Sequence, residues 1–143
     1  MDWVIGPLKN YAIFGGRARR AEFWVFLAFA TLLQMALRYV DQIRGAEPIA
    51  AEMGLAELCI TLVLLLPTVA VGVRRLHDSG RSGLWIFLGY GPLALINLPM
   101  AVDQSMKLVL SGALIMGAGA LLIIMLLPGN AGQNRYGPDP RRR

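Results

Sequence analysis

Charged residues are scarce in this sequence of 143 residues. Only 16% of them are Asp, Glu, Lys or Arg, whereas 56% are hydrophobic. A soluble domain usually carries about 25% charged residues, so the composition excludes an ordinary soluble domain, and the high apolar content excludes a disordered chain. The single cysteine excludes an internal disulfide, and one histidine with few nearby carboxylates does not suit a usual metal site. We therefore expect neither a metal nor another cofactor.

The apolar residues are concentrated in four long runs, approximately 23–40, 55–73, 84–102 and 108–127. Each run has about the 20 residues with which a helix crosses a hydrocarbon core of roughly 30 Å. The runs lack the polar faces of a soluble bundle and the alternation of a membrane barrel. They predict an all-α, integral membrane four-helix bundle that forms a single domain over residues 1–143. No small-residue cleavage pattern follows the first run, so we expect it to be retained rather than removed as a signal peptide.

The basic residues predict the orientation of this bundle. Most of the 14 Lys and Arg residues precede the first run, separate the second from the third, or follow the fourth, whereas the other two loops contain only Arg44 and Lys107. The positive-inside rule then places both termini in the cytoplasm. Before the first span, Trp3, Ile5 and Leu8 indicate a short interfacial segment that lies on the bilayer.

Three segments rich in arginine and glycine would meet on the cytoplasmic face, at positions 14–24, 74–85 and 128–140. The planar, forked donors of arginine match phosphate or carboxylate, and the glycine and Gly-Pro steps are typical of tight turns. The candidate ligand-binding residues of these segments are Arg17, Arg19, Arg20, Arg74, Arg75, His77, Asp78, Arg81, Asn134, Arg135 and Tyr136.

The order of the motifs resembles the bacterial inner-membrane family called "domain of unknown function 805". The resemblance covers nearly the whole chain. It is carried by the starting Met1-Asp2-Trp3 and Leu8-Lys9-Asn10-Tyr11, then Gly16-Arg17-Ala18-Arg19-Arg20 with Glu22-Phe23-Trp24, Arg74-Arg75-Leu76-His77-Asp78-Ser79-Gly80-Arg81-Ser82-Gly83, and Gly132-Gln133-Asn134-Arg135-Tyr136-Gly137-Pro138-Asp139-Pro140. It implies a small multi-pass protein of the bacterial inner membrane, and it implies no reaction.

The favoured hypothesis is a binding or scaffold module. Its arginine cluster would recognise an anionic phospholipid head group or an acidic segment of a membrane partner, with a homo-oligomer left open. Basic residues near the surface attract anionic lipid by about 1 kcal/mol each. Under the competing interpretation the arginines only set the topology, and Glu22, Asp78 and Asp139 pair with them to fold the loops.

Two other classes stay open. Pro67 and Pro92 inside the runs, with Asn97, allow a small transporter or channel subunit, although charged groups at mid-depth are missing. His77 allows an enzyme that acts on a lipid-linked phosphate, but its neighbour Asp78 would not face it on a helix. We therefore expect binding rather than catalysis. The Arg141-Arg142-Arg143 tail is read as a topology anchor and not as a nucleic-acid site.

Overall fold

The secondary structure of the protein is helical. The computed structural model describes residues 2–45, 54–97 and 103–142, and within these ranges it contains no β-strand. The helices are α1 (Asp2–Lys9), α2 (Arg20–Ile43), α3 (Leu55–Asp78), α4 (Phe87–Asn97) and α5 (Gln104–Leu126). There are two short 3₁₀ turns in these ranges, Gly83–Ile86 directly before α4 and Pro140–Arg142 in the C-terminal segment. The all-α class predicted from the sequence is confirmed for the described residues.

Three of these helices, α2, α3 and α5, are long and apolar enough to cross a membrane. They confirm helices over the predicted spans 23–40, 55–73 and 108–127, and α3 continues beyond its predicted end to Asp78. The span predicted over 84–102 corresponds to a 3₁₀ turn followed by the 11 residues of α4. Its last positions, 98–102, lie outside the described residues, so the fourth crossing and the bundle stay predictions.

The surfaces of the long helices are apolar. On α5, the side chains of Leu108, Ile115 and Met116 are exposed, and Leu32 and Met35 are exposed on α2. Apolar surface of this extent is unusual on a protein that faces water. It is the surface that a membrane-spanning helix presents to lipid.

The chain divides into two compact units, each with its own contacts. The first unit comprises Met1–Phe14 and Ala21–Val71, so it contains α1, nearly all of α2 and the first part of α3. Its buried apolar side chains include Phe23, Phe26 and Leu64. The second unit comprises Gly15–Arg20 and Gly72–Arg143, which includes the end of α3, α4, α5 and the C-terminal segment.

Within the second unit, α4 and α5 approach each other closely at Gly117. This glycine is buried in α5, and the backbone carbonyl of Leu88 in α4 occupies the space that a Cβ atom would need. Small residues allow such backbone contact between membrane helices. Gly89 of α4 also lies close to α5, since a Cβ atom there would lie 3.0 Å from Leu121 Cδ1, but only at Gly117 would it overlap the backbone of the other helix.

Substitution of Gly117 by Ala is expected to destabilise the second unit by about 1–3 kcal/mol, because the added methyl group overlaps the Leu88 carbonyl. Gly112 is the matched control, since a Cβ atom there meets nothing within 4 Å. Gly112→Ala should be neutral or stabilising by up to about 1 kcal/mol, given the helix preference of Ala. The free energy of unfolding in mixed detergent micelles measures both effects, and equal effects would contradict the close approach.

Candidate functional site

The motif Arg74-Arg75-Leu76-His77-Asp78 forms the last turns of α3, where the sequence predicted a segment outside the second span. The helix ends in a Schellman motif, in which two backbone N–H groups return to carbonyls of the last turn. Arg81 N–H donates to the Leu76 carbonyl at 3.0 Å, and Gly80 N–H donates to the His77 carbonyl at 3.0 Å. Gly80 has φ +74°, a left-handed conformation that favours glycine. The glycine of this motif therefore terminates the helix.

The carboxylate of Asp78 joins two arginines that are far apart in the sequence. Arg17 Nε donates to Asp78 Oδ1 at 2.9 Å, and Arg75 Nη1 donates to Oδ2 at 2.6 Å. The exposed fractions of the side chains are 1% for Arg17, 0% for Arg75 and 3% for Asp78. Buried charges require partners. One carboxylate compensates for only one of two guanidinium charges, so the remaining donors must find other acceptors.

Arg75 finds these acceptors at the end of α5. Its Nε donates to the Met125 carbonyl at 3.2 Å, and its Nη2 donates to the Leu127 carbonyl. The last carbonyls of a helix lack partners within the helix, and the C-terminal end of a helix attracts positive charge. Arg75 therefore caps α5 while it pairs with Asp78.

Arg17 finds its acceptors in the segment that follows α5. Its Nη1 donates to the Gly132 carbonyl at 2.5 Å and to the Gly137 carbonyl at 3.4 Å, and its Nη2 donates to the Asn130 carbonyl at 2.5 Å. This segment has no helix over these positions, so its carbonyls are available. Arg17 thus holds residues 130–137 against the end of α3.

The approach of the C-terminal segment to Asp78 is close. A Cβ atom at Gly129 would overlap the Asp78 carboxylate, so only glycine fits there without a shift. The N–H group of Asn130 donates to the Asp78 carbonyl at 2.8 Å. Asp78 is therefore bound through its side chain by two arginines and through its main chain by the C-terminal segment.

Three further arginines bind main-chain carbonyls of the same region. Arg19 Nε donates to Pro140, Arg20 Nη1 donates to Leu126, and Arg141 Nη2 donates to Gly129. Arg20 and Arg141 also lie near enough to Arg75 to repel its charge. Positive groups thus concentrate around the end of α5.

A second cluster forms around His77. Its ring stacks on the ring of Tyr136, with centroids 3.8 Å apart and planes 4° from parallel. Asn134 positions the tyrosine, because its Nδ2 donates to the His77 carbonyl at 2.9 Å and its Oδ1 accepts the Tyr136 N–H at 2.9 Å. The guanidinium of Arg135 lies 4.8 Å from the centre of the Tyr136 ring, a cation–π distance. The ring nitrogen Nδ1 of His77 lies 3.2 Å from the Gly16 carbonyl oxygen.

Asp139 closes the C-terminal segment. Its carboxylate accepts the N–H of Arg141 at 2.9 Å and the N–H of Gly132 at 3.2 Å. These hydrogen bonds, with the nearby charges of Arg17 and Arg141, hold the pKa of Asp139 below its usual value. Because the ionised form is the one bound, its contribution to stability is present at neutral pH and is lost as the pH falls through the lowered pKa.

The structure brings most of the predicted site residues together. Arg17, Arg75 and Asp78 form one cluster, and the other contains His77 with the predicted Asn134, Arg135 and Tyr136. Arg19 and Arg20 join through carbonyls, and Arg74 is buried at 5% exposure. The side chain of Arg81 contacts no hydrogen-bonding partner in the described part of the chain.

Sequence reasoning missed Gly129, Asn130 and Arg141 as partners of this network. Main-chain carbonyls leave no pattern in a sequence, so their use by arginine could not be read from residue types. Asp139 was named as a partner for the arginines; it binds main-chain N–H groups and is influenced by the charges of two arginines. In the described ranges, no group of three or more His, Cys, Asp and Glu side chains is placed to hold a metal ion.

Asp78→Asn is expected to destabilise the second unit by about 3–5 kcal/mol, because it leaves two buried guanidinium groups without a counter-charge. The matched control is Asp103→Asn, at the exposed N-cap of α5, where Asp103 Oδ1 accepts the Met106 N–H at 3.0 Å. Asn is also a good N-cap residue, so the control should change stability little. Unfolding in mixed micelles compares the two, and a small effect of Asp78→Asn would contradict its buried ionic role.

Comparison with known proteins places this chain in a family. The family model "Protein of unknown function (DUF805)" matches residues 11–138. The chain is 34% identical over 143 residues to "Inner membrane protein YhaH" of Escherichia coli K12, covering 99% of this chain and 98% of that protein. It is 31% identical over 141 residues to "Inner membrane protein YhaI" of the same organism, covering 99% and 97%.

A third relative is "Uncharacterized protein YiiR" of Escherichia coli K12, 32% identical over 133 residues, covering 88% of this chain and 84% of that protein. No solved structure matches the chain significantly. The family match includes the first two arginine-rich segments and the third as far as Pro138, and the similarity to YhaH and YhaI extends over nearly the full chain. With three helices able to cross a membrane, the chain is a multi-pass inner-membrane protein and belongs to the DUF805 family.

Proposed function

We propose that this protein is a binding or scaffold module of the inner membrane whose exposed arginines recognise an anionic lipid head group. The observation that carries the proposal is the excess of positive charge in the second unit. Around the ends of α3 and α5 it contains two aspartates, Asp78 and Asp139, and eight arginines whose side chains are described. The arginines are Arg17, Arg19, Arg20, Arg74, Arg75, Arg81, Arg135 and Arg141. An anionic ligand would compensate for this excess.

The arginines divide into two groups by their contacts. Arg17 and Arg75 are buried and use their donors on Asp78 and main-chain carbonyls, so they build the site. Arg20, Arg135 and Arg141 are exposed. The guanidinium group of each donates one described hydrogen bond, to the carbonyls of Leu126, Gly80 and Gly129 respectively. A guanidinium has five N–H donors, so the exposed group retains the capacity to bind phosphate oxygens.

The proposed arrangement in the membrane has four spans with both termini in the cytoplasm. The arginine-rich end of the second unit then lies beside the inner leaflet, where anionic head groups are attracted to basic residues. The exposed Trp3 and Ile5 of α1 would rest at the same interface, where amphipathic residues are favoured. The positive-inside distribution of the basic residues supports this orientation.

Thiol labelling tests the orientation. In a Cys59→Ser background, which removes the single cysteine, cysteine is introduced at Gln42 or at Gln133, both of which are exposed. A membrane-impermeant maleimide added to spheroplasts should label Gln42→Cys, because it lies at the outer end of α2. It should label Gln133→Cys only after permeabilisation. The reverse pattern would contradict the proposed orientation.

The head-group proposal is tested by removing the three exposed charges together, as Arg20→Gln, Arg135→Gln and Arg141→Gln. At about 1 kcal/mol for each charge, the affinity for phosphatidylglycerol should fall on the order of 100-fold. Native mass spectrometry with added phosphatidylglycerol or phosphatidylcholine measures lipid retention. The binding of phosphatidylcholine should change little.

The matched control combines Arg38→Gln, Arg44→Gln and Lys107→Gln, which removes three exposed charges outside the cluster. It changes the net charge equally and should preserve the preference for phosphatidylglycerol. Equal lipid retention by the two triple variants would contradict head-group recognition. In that case an acidic segment of a partner protein becomes the ligand to test.

A further inference from the structure

An apolar groove opens beside the arginine-rich segments of the second unit. Four exposed side chains, Leu84, Trp85, Phe87 and Leu88, line a shallow, largely open groove with a volume of about 360 Å³. They belong to the 3₁₀ turn and to the first turn of α4. The groove therefore lies at the start of α4, a few residues after the motif that ends α3.

The local backbone holds these side chains outward. Ser82 caps the 3₁₀ turn, with its Oγ accepting the Leu84 N–H at 3.4 Å, and the turn continues directly into α4. Gly83 packs against Val73 of α3, whose Cγ1 lies 2.7 Å from the position that a Cβ atom would take. Ile86 is the buried side chain of the turn. The turn is therefore packed on one side and leaves the groove on the other.

A basic residue, Arg81, lies close to this groove along the chain. Arg81 precedes Leu84 by three residues, which limits the distance between their Cα atoms to about 11 Å. The main chain of Arg81 is fixed by the hydrogen bond of its N–H to Leu76. Its guanidinium has no hydrogen-bonding partner among residues 2–45, 54–97 and 103–142. A half-buried cation close along the chain to an apolar groove would complement both parts of a phospholipid, its phosphate and its acyl chain.

We infer that the groove holds an acyl chain of an anionic phospholipid whose phosphate binds Arg81. The inference rests on the proposed head-group recognition and names a diacyl lipid as the ligand. The apolar side chains of the groove match an acyl chain through van der Waals packing, and the guanidinium supplies selectivity for a negative head group. Inorganic phosphate would leave the groove empty, and an acidic peptide would place polar groups against it.

Trp85 provides the probe for this site. The chain has three tryptophans, so Trp3→Phe with Trp24→Phe leaves Trp85 as the single indole fluorophore. Brominated acyl chains quench indole fluorescence on contact. In mixed vesicles, the affinity of the site for brominated phosphatidylglycerol should be about fivefold higher than for brominated phosphatidylcholine. This factor corresponds to about 1 kcal/mol for the charge of one arginine.

In this background, Arg81→Gln should reduce the ratio of quenching by phosphatidylglycerol to quenching by phosphatidylcholine to about one. Lys107→Gln should leave this ratio unchanged, because Lys107 lies in the first turn of α5, at the end away from the arginine-rich segments. Equal quenching by the two lipids in the parent would overturn the inference, because a phosphate bound by Arg81 requires a preference for the anionic lipid at Trp85. A preference that persists in Arg81→Gln would also overturn it.

The result for the groove is separate from the result for the exposed arginines. If the quenching shows no preference while the Arg20, Arg135 and Arg141 variant still loses phosphatidylglycerol, the groove fails and head-group recognition stands. If the triple variant retains phosphatidylglycerol while Trp85 shows the preference, lipid binding is confined to Arg81 and the proposed role of the exposed arginines fails.

Discussion

The second unit depends on a single buried carboxylate, that of Asp78, which lies between the guanidinium groups of Arg17 and Arg75. A buried ion is costly unless it is paired and hydrogen-bonded. One negative charge leaves the three-residue cluster with a net positive charge, and the structure resolves this by directing the remaining donors onto main-chain carbonyls. The positions of the C-terminal residues follow from that requirement.

This requirement changes the interpretation of the arginines. An arginine-rich motif in a membrane protein indicates topology or an anionic ligand, and the competing interpretation of the sequence also expected Asp78 to pair with arginines, as it does. Arg17 and Arg75 face inward, so they hold the end of α5 and the segment after it in place. The exposed Arg20, Arg135 and Arg141 are therefore the better candidates for ligand contact, and they are positioned by carbonyls that the buried pair organises.

Much of the architecture was predictable because membrane insertion constrains composition strongly. Long apolar runs predicted α2, α3 and α5, and the arginine-rich motifs predicted most of the residues that gather in the site. The extension of α3 to Asp78 was not predicted, because the charges of Arg74 and Arg75 were read as the end of the apolar span. The sequence contained the signal for the true end, since Gly80 supplies the left-handed residue of a Schellman motif.

The contacts within the site were less predictable, for two physical reasons. Arginine binds carbonyls of any residue, so Met125, Leu127 and Gly132 gave no sign of their role. The requirement for glycine at position 129 depends on the Asp78 carboxylate, which is distant in the sequence. The sequence did predict that His77 and Asp78, as neighbours on a helix, would not face each other, and they join different clusters, one with Tyr136 and the other with Arg17.

The energetic coupling between Arg17 and Asp78 tests the central role of this carboxylate most directly. A double-mutant cycle compares Arg17→Gln, Asp78→Asn and the double variant by their free energies of unfolding in mixed micelles. The double variant is expected to be more stable than the sum of the single losses requires, by about 1–3 kcal/mol. The reason is that Asp78→Asn alone leaves two buried guanidinium charges without a counter-charge, whereas the double variant leaves only that of Arg75. Additive losses, within about 0.5 kcal/mol, would contradict it.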